Sequence, residues 1–326
     1  MNAPELEVHL DADDLARSLR ADVINGLTAE KKTLPPKWFY DARGSELFER
    51  ITELPEYYPT RAERQILTDR ATEIAAVTRA TALLELGSGY STKTRLLLDA
   101  LTAAGTLRTF APMDVSPTAL TAAASRITAD YPGLAVHNIV GDLTRHLKHL
   151  PTGGDRLVAF LGGTIGNLVP AERAAFLADV RAVLEPGEHL LLGTDLVKSP
   201  SVVVPAYDDA QGVTAEFNRN VLRVLNASLG ADFDLDGFAH VALWDAEREW
   251  IEMRLRARWP MRATIPGVGL VVDFAAGEEV RTEVSAKFRR EGVERELAEA
   301  GFALDRWWTD RDGLFAVSLA RAVQED

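Results

Sequence analysis

Short apolar runs alternate with amphipathic stretches along the chain from about residue 60 onward. A strand buried on both faces gives a continuous apolar run, whereas a helix packed on a sheet repeats its apolar positions every three to four residues. The alternation predicts βαβ units, and therefore a parallel sheet covered by helices. The predicted strands span residues 82–86, 109–115, 135–140, 156–162 and 189–195.

Two further patterns complete this α/β prediction. The clearest helix has Pro170 near its start and ends at Glu185-Pro186-Gly187, because its apolar residues recur at helical spacing between those points. Near the end of the chain, a helix at 293–300 precedes strands at 302–308 and 314–322, which a turn-rich segment joins. We therefore expect an antiparallel hairpin to close the parallel sheet.

Residues 198–286 interrupt the alternation and predict an inserted, β-rich α+β domain. Apolar and polar residues alternate strictly over 251–257, which is typical of a strand with one buried face, and residues 240–244 are its expected hairpin partner. Pro200 and Pro205 predict a linker at its start. The expected organisation is a cofactor-binding domain at 1–197 with an N-terminal helical segment, an insertion at 198–286, and a return at 287–326.

Composition narrows the class of protein. The 326 residues are 47% hydrophobic and 26% charged, which is typical of a globular protein with a sizeable core. A formal net charge of −13 argues against a nucleic-acid partner. The absence of cysteine excludes disulfides, thiolate nucleophiles and iron–sulfur ligation. The sequence has no signal-peptide pattern and no apolar run near the roughly 18 residues of a membrane span, so we expect a cytoplasmic protein. No apolar stripe requires a partner, so we expect a monomer.

The strongest local motif is the glycine turn at Glu85-Leu86-Gly87-Ser88-Gly89, which directly follows a predicted strand. Such a turn lets a ligand lie against bare backbone. A dinucleotide site expects a third glycine where this chain has Thr92, whereas S-adenosylmethionine (SAM) sites favour an acidic residue where Glu85 stands. A plain strand-to-helix turn remains the alternative that assigns no ligand.

Two aspartates follow the next two predicted strands. Asp114 is placed to accept hydrogen bonds from both hydroxyls of a ribose, and Asp142 from an adenine amino group, because an ionised carboxylate only accepts. The carboxyl ends of parallel strands line the crevice in which open sheets bind ligands. The order of these residues favours a SAM-dependent methyltransferase over a nicotinamide enzyme.

Longer strings of residues carry a resemblance that covers most of the chain, from about Leu15 to Leu319. The general strings resemble class I methyltransferases: ELGSG (85–89), LEPG (184–187) and EAGF (299–302). The more specific strings resemble the histidine-specific Nα-methyltransferases of ergothioneine biosynthesis: LPPKWFYD (34–41), LPEYYPTR (54–61), FLGGTIGN (160–167) and AYDD (206–209).

The resemblance implies three successive methyl transfers from SAM to the α-amine of L-histidine, which give the betaine hercynine. By position, it implies that histidine is held by Tyr57, Asn167, Tyr207, Glu283 and Ser285, with Tyr40 beside the amino group. It also implies that the cofactor contacts Gly87, Lys93, Asp114, Asp142 and Leu143. The sequence departs from the pattern at Tyr90, where a smaller residue is expected, and at Leu143, where an aromatic residue is common.

The residues themselves support the substrate. Glu283 and Ser285 stand two apart in an extended segment, so both side chains leave the same face. A carboxylate that accepts from one ring N–H, beside a hydroxyl that donates to or accepts from the other nitrogen, selects a ring with two hydrogen-bonding edges. An exposed strand face is the alternative. Met253 is a candidate wall of the ring pocket, with core packing as its alternative.

Methyl transfer is an in-line displacement that requires a neutral amine, alignment and exclusion of water. Tyr40, or water near it, is the candidate proton acceptor; Asn167 and the hydroxyls of Tyr57 and Tyr207 suit positioning and carboxylate binding. The spacing of His146 and His149 beside basic residues indicates a solvated helical face, so no metal is expected. A nicotinamide oxidoreductase, a silent SAM-binding regulator and a methyltransferase for another aromatic amino acid stay open as alternatives.

Overall fold

The computed structural model describes residues 5–89 and 93–324. Its helices are α1 (Ala12–Thr28), α2 (Ala42–Glu53), α3 (Pro59–Thr78), α4 (Arg95–Ala103), α5 (Pro117–Asp130), α6 (Pro170–Val183), α7 (Pro200–Tyr207), α8 (Val213–Leu229) and α9 (Arg290–Glu299). Its strands are β1 (Glu5–Val8), β2 (Ala82–Leu86), β3 (Thr109–Asp114), β4 (Ala135–Val140), β5 (Arg156–Phe160), β6 (His189–Asp195), β7 (Phe238–Asp245), β8 (Trp250–Ala257), β9 (Met261–Ile265), β10 (Leu270–Phe274), β11 (Glu279–Ala286), β12 (Phe302–Thr309) and β13 (Phe315–Ala322).

The chain divides into two compact units. The first comprises Met1–Asp11, Arg61–Leu196 and Phe288–Asp326. It contains an eight-stranded sheet in the order β1-β4-β3-β2-β5-β6-β13-β12, whose strands are parallel from β1 to β6 and antiparallel at the terminal hairpin. The predicted α/β architecture and its closing hairpin are confirmed. The edge strand β1 was not predicted.

The burial of this sheet explains why its strands could be located from the sequence. Every residue of β2, β5 and β6 is buried, and each of these strands contains an apolar run of at least three residues. Their side chains pack with those of the flanking helices in one core, to which Leu83, Leu97, Phe110, Leu157 and Phe315 belong. The carboxyl ends of β2, β3 and β4 lead into the predicted cofactor residues.

The second compact unit comprises Ala12–Thr60 and Val197–Lys287. It contains an antiparallel sheet in the order β11-β8-β7 and a separate hairpin of β9 and β10. The predicted hairpin of β7 and β8 is confirmed. Its alternating apolar residues are buried, as the pattern indicates: Ile251, Met253, Leu255 and Ala257.

The grouping of the N-terminal helices differs from the expected boundaries of 1–197, 198–286 and 287–326. Residues 12–60 pack with the inserted segment because backbone pairing joins them: Leu34 N donates to Arg281 O, and Arg281 N donates to Lys32 O, each at 2.9 Å. Asn220 of α8 also donates to Phe39 O at 3.0 Å. These contacts hold the LPPKWFYD string and β11 in one unit.

The predicted linker at Pro200 and Pro205 is wrong, because the structure has helix α7 there. Pro200 occupies the first helical turn, where a missing N–H does not matter, and Ser199 caps the helix by accepting from Ser201 N. Pro205 lies inside this short helix and lacks the N–H that would donate to the carbonyl four residues earlier. Among the described helices, none has the length and apolarity that a membrane crossing requires.

Candidate active site

The glycine turn between β2 and α4 has a backbone that only glycine adopts readily. Gly87 and Gly89 have φ values of +67° and +50°, and Gly87 N donates to Met113 O of the neighbouring strand at 2.9 Å. Among the described residues, no atom lies within 4 Å of a Cβ built on Gly89, and a Cβ on Gly87 meets only Leu143 Cδ1 at 3.8 Å. The described residues therefore leave the backbone of both glycines uncovered on this side.

Glu85 braces this turn from inside the unit. Its carboxylate accepts from Ser88 Oγ at 2.5 Å and from Thr94 Oγ1, which stand on either side of residues 90–92. The acidic residue on which the SAM interpretation rested thus shapes the turn. Tyr90 and Thr92, which carried the expected departure and the missing third glycine, lie outside the described residues.

Asp114 lies at the end of β3 and is fixed against the turn. Its Oδ2 accepts from Gly89 N and its Oδ1 from Ser116 N, each at 2.9 Å. Burial raises the pKa of the Asp114 carboxyl, against backbone hydrogen bonds from Gly89, Ser116 and Val115, which lower it. Each carboxylate oxygen has a second lone pair, so the group fits the expected role of accepting from a ribose.

Asp142 and Leu143 follow β4, and the structure holds them in a tight loop. Asp142 Oδ1 accepts from Thr144 N at 2.8 Å and from Thr144 Oγ1 at 2.7 Å, while its own N–H donates to His146 Nδ1 at 2.9 Å. Leu143 contributes the side chain nearest to Gly87. Both are half-buried, at the carboxyl end of the strand where adenine recognition was expected.

Lys93 is paired with a buried carboxylate that the sequence analysis missed. Its Nζ donates to Glu63 Oε2 of α3, while Glu63 Oε1 accepts from Gly162 N at 2.7 Å. Glu63 is fully buried, and the Lys93 side chain keeps 21% of its exposure. Glu63 therefore holds two segments of the first unit, one after the glycine turn and one after β5.

Asn167 belongs to the first unit as well. It ends a short 3₁₀ helix, Thr164–Asn167, that begins after Gly162 and Gly163, whose φ values are +80° and +70°. The left-handed backbone at these two glycines is what lets the FLGGTIGN string turn sharply away from β5. Asn167 is half-buried at the end of this turn.

In the second unit, Tyr207 and Ser285 meet a third polar residue that was not predicted. The Tyr207 hydroxyl donates to Ser285 Oγ at 2.8 Å. Lys287 Nζ donates to Tyr207 Oη at 2.9 Å and to Ser285 Oγ at 2.8 Å. All three residues are more than nine-tenths buried. The strand period offered a signal for Lys287, since it stands two residues after Ser285.

Glu283 lies on the same strand as Ser285, opposite a buried methionine. In the register of β11 with β8, Glu283 pairs with Met253 and Ser285 pairs with Ile251. Side chains of directly paired residues share a face, so Met253, Glu283 and Ser285 line one face of this sheet. Ser285 is buried and Glu283 half-buried, so this is no exposed strand face.

Tyr40 and Tyr57 both approach the ring of Phe48. Their ring centroids lie 5.7 Å and 6.2 Å from it, in edge-on arrangements. Phe217 packs against Tyr40 from α8 at 5.4 Å. Tyr57 is 9% exposed, whereas Tyr40 is 43% exposed, so the two tyrosines differ mainly in their access to water.

The buried side chain of His240 contacts the backbone carbonyl of Tyr207. His240 Nε2 donates to the Tyr207 carbonyl at 2.7 Å, and its Nδ1 accepts from Asn218 Nδ2 at 2.8 Å. Asn218 Oδ1 in turn accepts from Thr282 Oγ1 at 2.6 Å. Burial lowers the pKa of His240, against the carbonyl contact, so the ring is neutral with its proton on Nε2.

A histidine cluster lies beside the edge strand β1 of the first unit. The ring of His9 stacks on that of His149 with centroids 3.5 Å apart and planes 17° apart, a contact that the sequence analysis did not foresee. Ligand atoms of Glu7, His9 and His149 lie within 4.8 Å of one another. A metal ion lies in the plane of each imidazole that binds it, so two nearly parallel stacked rings do not share one.

The position of the glycine turn defines the class of protein. It follows the central strand of a sheet that ends in an antiparallel hairpin, which is the class I arrangement of SAM-dependent methyltransferases. The sequence model of the family described as "Histidine-specific methyltransferase, SAM-dependent" matches residues 19–322. This chain belongs to that family, which excludes the nicotinamide alternative.

Named relatives agree with the family. The chain is 57% identical to a histidine N-alpha-methyltransferase from Mycolicibacterium smegmatis over 312 residues, 96% of this chain and 97% of the relative. It is 55% identical, with the same coverage, to a histidine N-alpha-methyltransferase from Mycobacterium tuberculosis. Ergothioneine biosynthesis protein 1 from Neurospora crassa is 32% identical over 85% of this chain and 32% of that protein.

Proposed function

We propose that this chain transfers three methyl groups from SAM to the α-amine of L-histidine and releases hercynine, the first step of ergothioneine biosynthesis. The observation that carries the proposal is the shared face of Glu283, Ser285 and Met253 on two paired strands. A carboxylate and a hydroxyl side by side suit the two nitrogens of an imidazole, whereas an indole offers one. The names of the two mycobacterial relatives support the same substrate.

The first unit supplies the residues that would hold the cofactor. Asp114 would accept from the ribose hydroxyls, Asp142 from the adenine amino group, and Gly87 and Leu143 would border the ligand. Lys93, paired with Glu63, is proposed to fix the segment after the turn. Bound SAM supplies a methyl group already activated by a positively charged sulfur.

The remaining residues are proposed to position the amino acid. Tyr57 and Asn167 would hold its carboxylate and amino groups. Tyr207, whose hydroxyl proton is donated to Ser285 Oγ, would accept from the amino N–H, so that the nitrogen lone pair faces the methyl carbon. The nitrogen forms its bond to carbon as the sulfur takes back its bonding pair, and no covalent enzyme intermediate is needed. Because the methyl group arrives already activated, alignment and exclusion of water are proposed to supply the catalysis without a metal.

A proton must leave the nitrogen before each further methylation. Tyr40, or water beside it, is proposed to accept that proton. The support is exposure: Tyr40 is exposed to solvent, while Tyr57 is mostly buried. A proton taken by a group in contact with water leaves the site without a buried relay.

The test of the function is a methylation assay read by mass spectrometry. The purified protein receives SAM and an equimolar mixture of the twenty amino acids, without added metal. Gain of three methyl groups by L-histidine alone is the expected result. Methylation of another amino acid would contradict the substrate, and the absence of any methylation would favour a silent SAM-binding regulator.

A matched pair of variants tests the ring contact. Glu283→Ala is expected to lower kcat/KM for histidine by at least tenfold, because a hydrogen bond to a charged group contributes about 1.5–3 kcal/mol. Glu247→Ala, in the exposed turn between β7 and β8, is the control and should leave kcat/KM unchanged. Equal kinetics for both variants would remove Glu283 from the site.

The expected monomeric state and cytoplasmic location are proposed from the sequence. Sedimentation velocity at micromolar protein concentration would check the first, with a single species near the 35.7 kDa of the chain as the expected result.

A further inference from the structure

Lys287 is a buried lysine in direct contact with two residues of the proposed substrate site. It is 4% exposed, and its Nζ donates to Tyr207 Oη at 2.9 Å and Ser285 Oγ at 2.8 Å. Its ammonium group also lies 4.7 Å from the centre of the Tyr207 ring. Lysine is rarely buried without a specific partner, so this placement calls for a role.

The chemistry of the three groups fixes where the hydroxyl protons point. An ammonium group only donates, so both oxygens accept from Lys287. Between the two hydroxyls, the phenol is the stronger acid and the better donor, which agrees with the 2.8 Å hydrogen bond from Tyr207 to Ser285 Oγ. The serine oxygen thus accepts two hydrogen bonds, and both of its lone pairs are occupied.

We infer that Lys287 is a positioning residue that makes Ser285 a hydrogen-bond donor toward the substrate ring. With its lone pairs occupied, Ser285 can offer only its O–H to a ligand, while Glu283 beside it offers an acceptor. The pair then fits a neutral imidazole whose N–H faces Glu283 and whose bare nitrogen faces Ser285. This inference rests on the proposed function and specifies which form of the ring the site selects.

The test uses ring analogues that remove one nitrogen at a time. β-(Pyrrol-2-yl)-alanine and β-(pyrrol-3-yl)-alanine each keep one N–H and replace the other nitrogen by C–H. Dissociation constants for these and for L-histidine are measured by calorimetry with saturating S-adenosylhomocysteine. In the wild type, both analogues are expected to bind at least tenfold more weakly than histidine, because a buried donor at Ser285 is left unpaired.

Three variants isolate the lysine. Lys287→Met and Ser285→Ala should each reduce the preference for histidine over the better analogue by at least fivefold, and the double variant should reduce it no further, since both act through one hydrogen bond. Lys198→Met is the control: Lys198 donates to the hydroxyl of a different tyrosine in the same unit, Tyr58 Oη at 2.8 Å. It should leave the preference unchanged.

A purely structural role for Lys287 gives a different result. Loss of packing would weaken histidine and the analogues alike, so an unchanged preference in Lys287→Met beside a lost one in Ser285→Ala overturns the inference. Where Lys287→Met does not fold, Lys287→Gln, which keeps N–H donors, should retain the preference within about threefold, and a loss as large as in Ser285→Ala overturns it. A wild type that does not methylate histidine in the separate assay overturns the proposed function itself.

Discussion

The ion pair of Glu63 and Lys93 predicts an unequal response to removing either partner. Glu63 is fully buried, whereas the side chain of Lys93 is 21% exposed. Replacing the lysine leaves a carboxylate buried without its cation, which costs about 3–5 kcal/mol. Replacing the glutamate leaves a lysine that can turn into water, so only a hydrogen bond to a charged group is lost.

The magnitudes follow from these contacts. Glu63→Gln keeps an oxygen for Gly162 N, which now donates to Oε1 at 2.7 Å, and should lower the free energy of unfolding by about 1.5–3 kcal/mol. Lys93→Met should lower it by about 3–5 kcal/mol. The double variant should be more stable than Lys93→Met alone, because the amide no longer needs a cation.

Urea unfolding of the ligand-free protein, followed by far-UV circular dichroism, measures these differences. Glu73→Gln on the same helix is the control: its partners Arg70 and Arg306 lie 3.4 Å and 3.5 Å away at the surface, and the variant should stay within about 0.5 kcal/mol of the wild type. If Glu63→Gln is destabilised as much as Lys93→Met, or if the double variant is the least stable, the argument from unequal burial is wrong.

Three other substitutions test separate features. Burial lowers the pKa of His240 in the folded protein, so the unfolded chain binds a proton there more readily. The free energy of unfolding should therefore fall below about pH 6.5, by up to about 1.4 kcal/mol per pH unit. The urea midpoint of His240→Gln should fall less steeply with pH than that of the wild type, and parallel curves would contradict this. Gly193→Ala places a Cβ 2.3 Å from Glu63 Oε1 and should destabilise by about 1–3 kcal/mol, measured as a lower thermal midpoint; an unshifted midpoint would mean that the space exists. Asp114→Ala should weaken S-adenosylhomocysteine binding at least tenfold in calorimetry, through loss of hydrogen bonds to a charged group, and an unchanged affinity would remove Asp114 from the ribose.

The pattern of apolar residues located the strands that are buried in the parallel sheet. The strands β2, β4 and β6 begin and end where the apolar runs do, and β3 and β5 end one and two residues before their predicted ends. Both faces of these strands are covered, so most of their residues are apolar and the strands can be recognised from the sequence. Helix α7 was missed because proline at a helix start reads the same as proline in a linker.

Contacts between residues far apart in the sequence could not be predicted from local patterns. Thr33 pairs with Arg281 across 248 positions of sequence, and nothing near either residue indicates the other. Glu63 lies in helix α3, and an acidic residue in a helix is usually predicted to face solvent, so its burial could not be predicted. Lys287 did have a signal, the strand period that places it beside Ser285, but the tendency of lysine to stay exposed pointed the other way.

The second unit is built from two segments that are far apart in the sequence, which has a consequence for synthesis on the ribosome. Residues 12–60 emerge first, but their partners at 197–287 follow only after residues 61–196 have been made. At typical elongation rates the delay is on the order of ten seconds. During that interval Leu19 and Val23 of α1 and Leu47 and Ile51 of α2, which are buried in the finished protein, have no native surface from residues 197–287 to cover them. The nascent chain therefore presents an apolar N-terminal segment to any chaperone that waits at the exit tunnel.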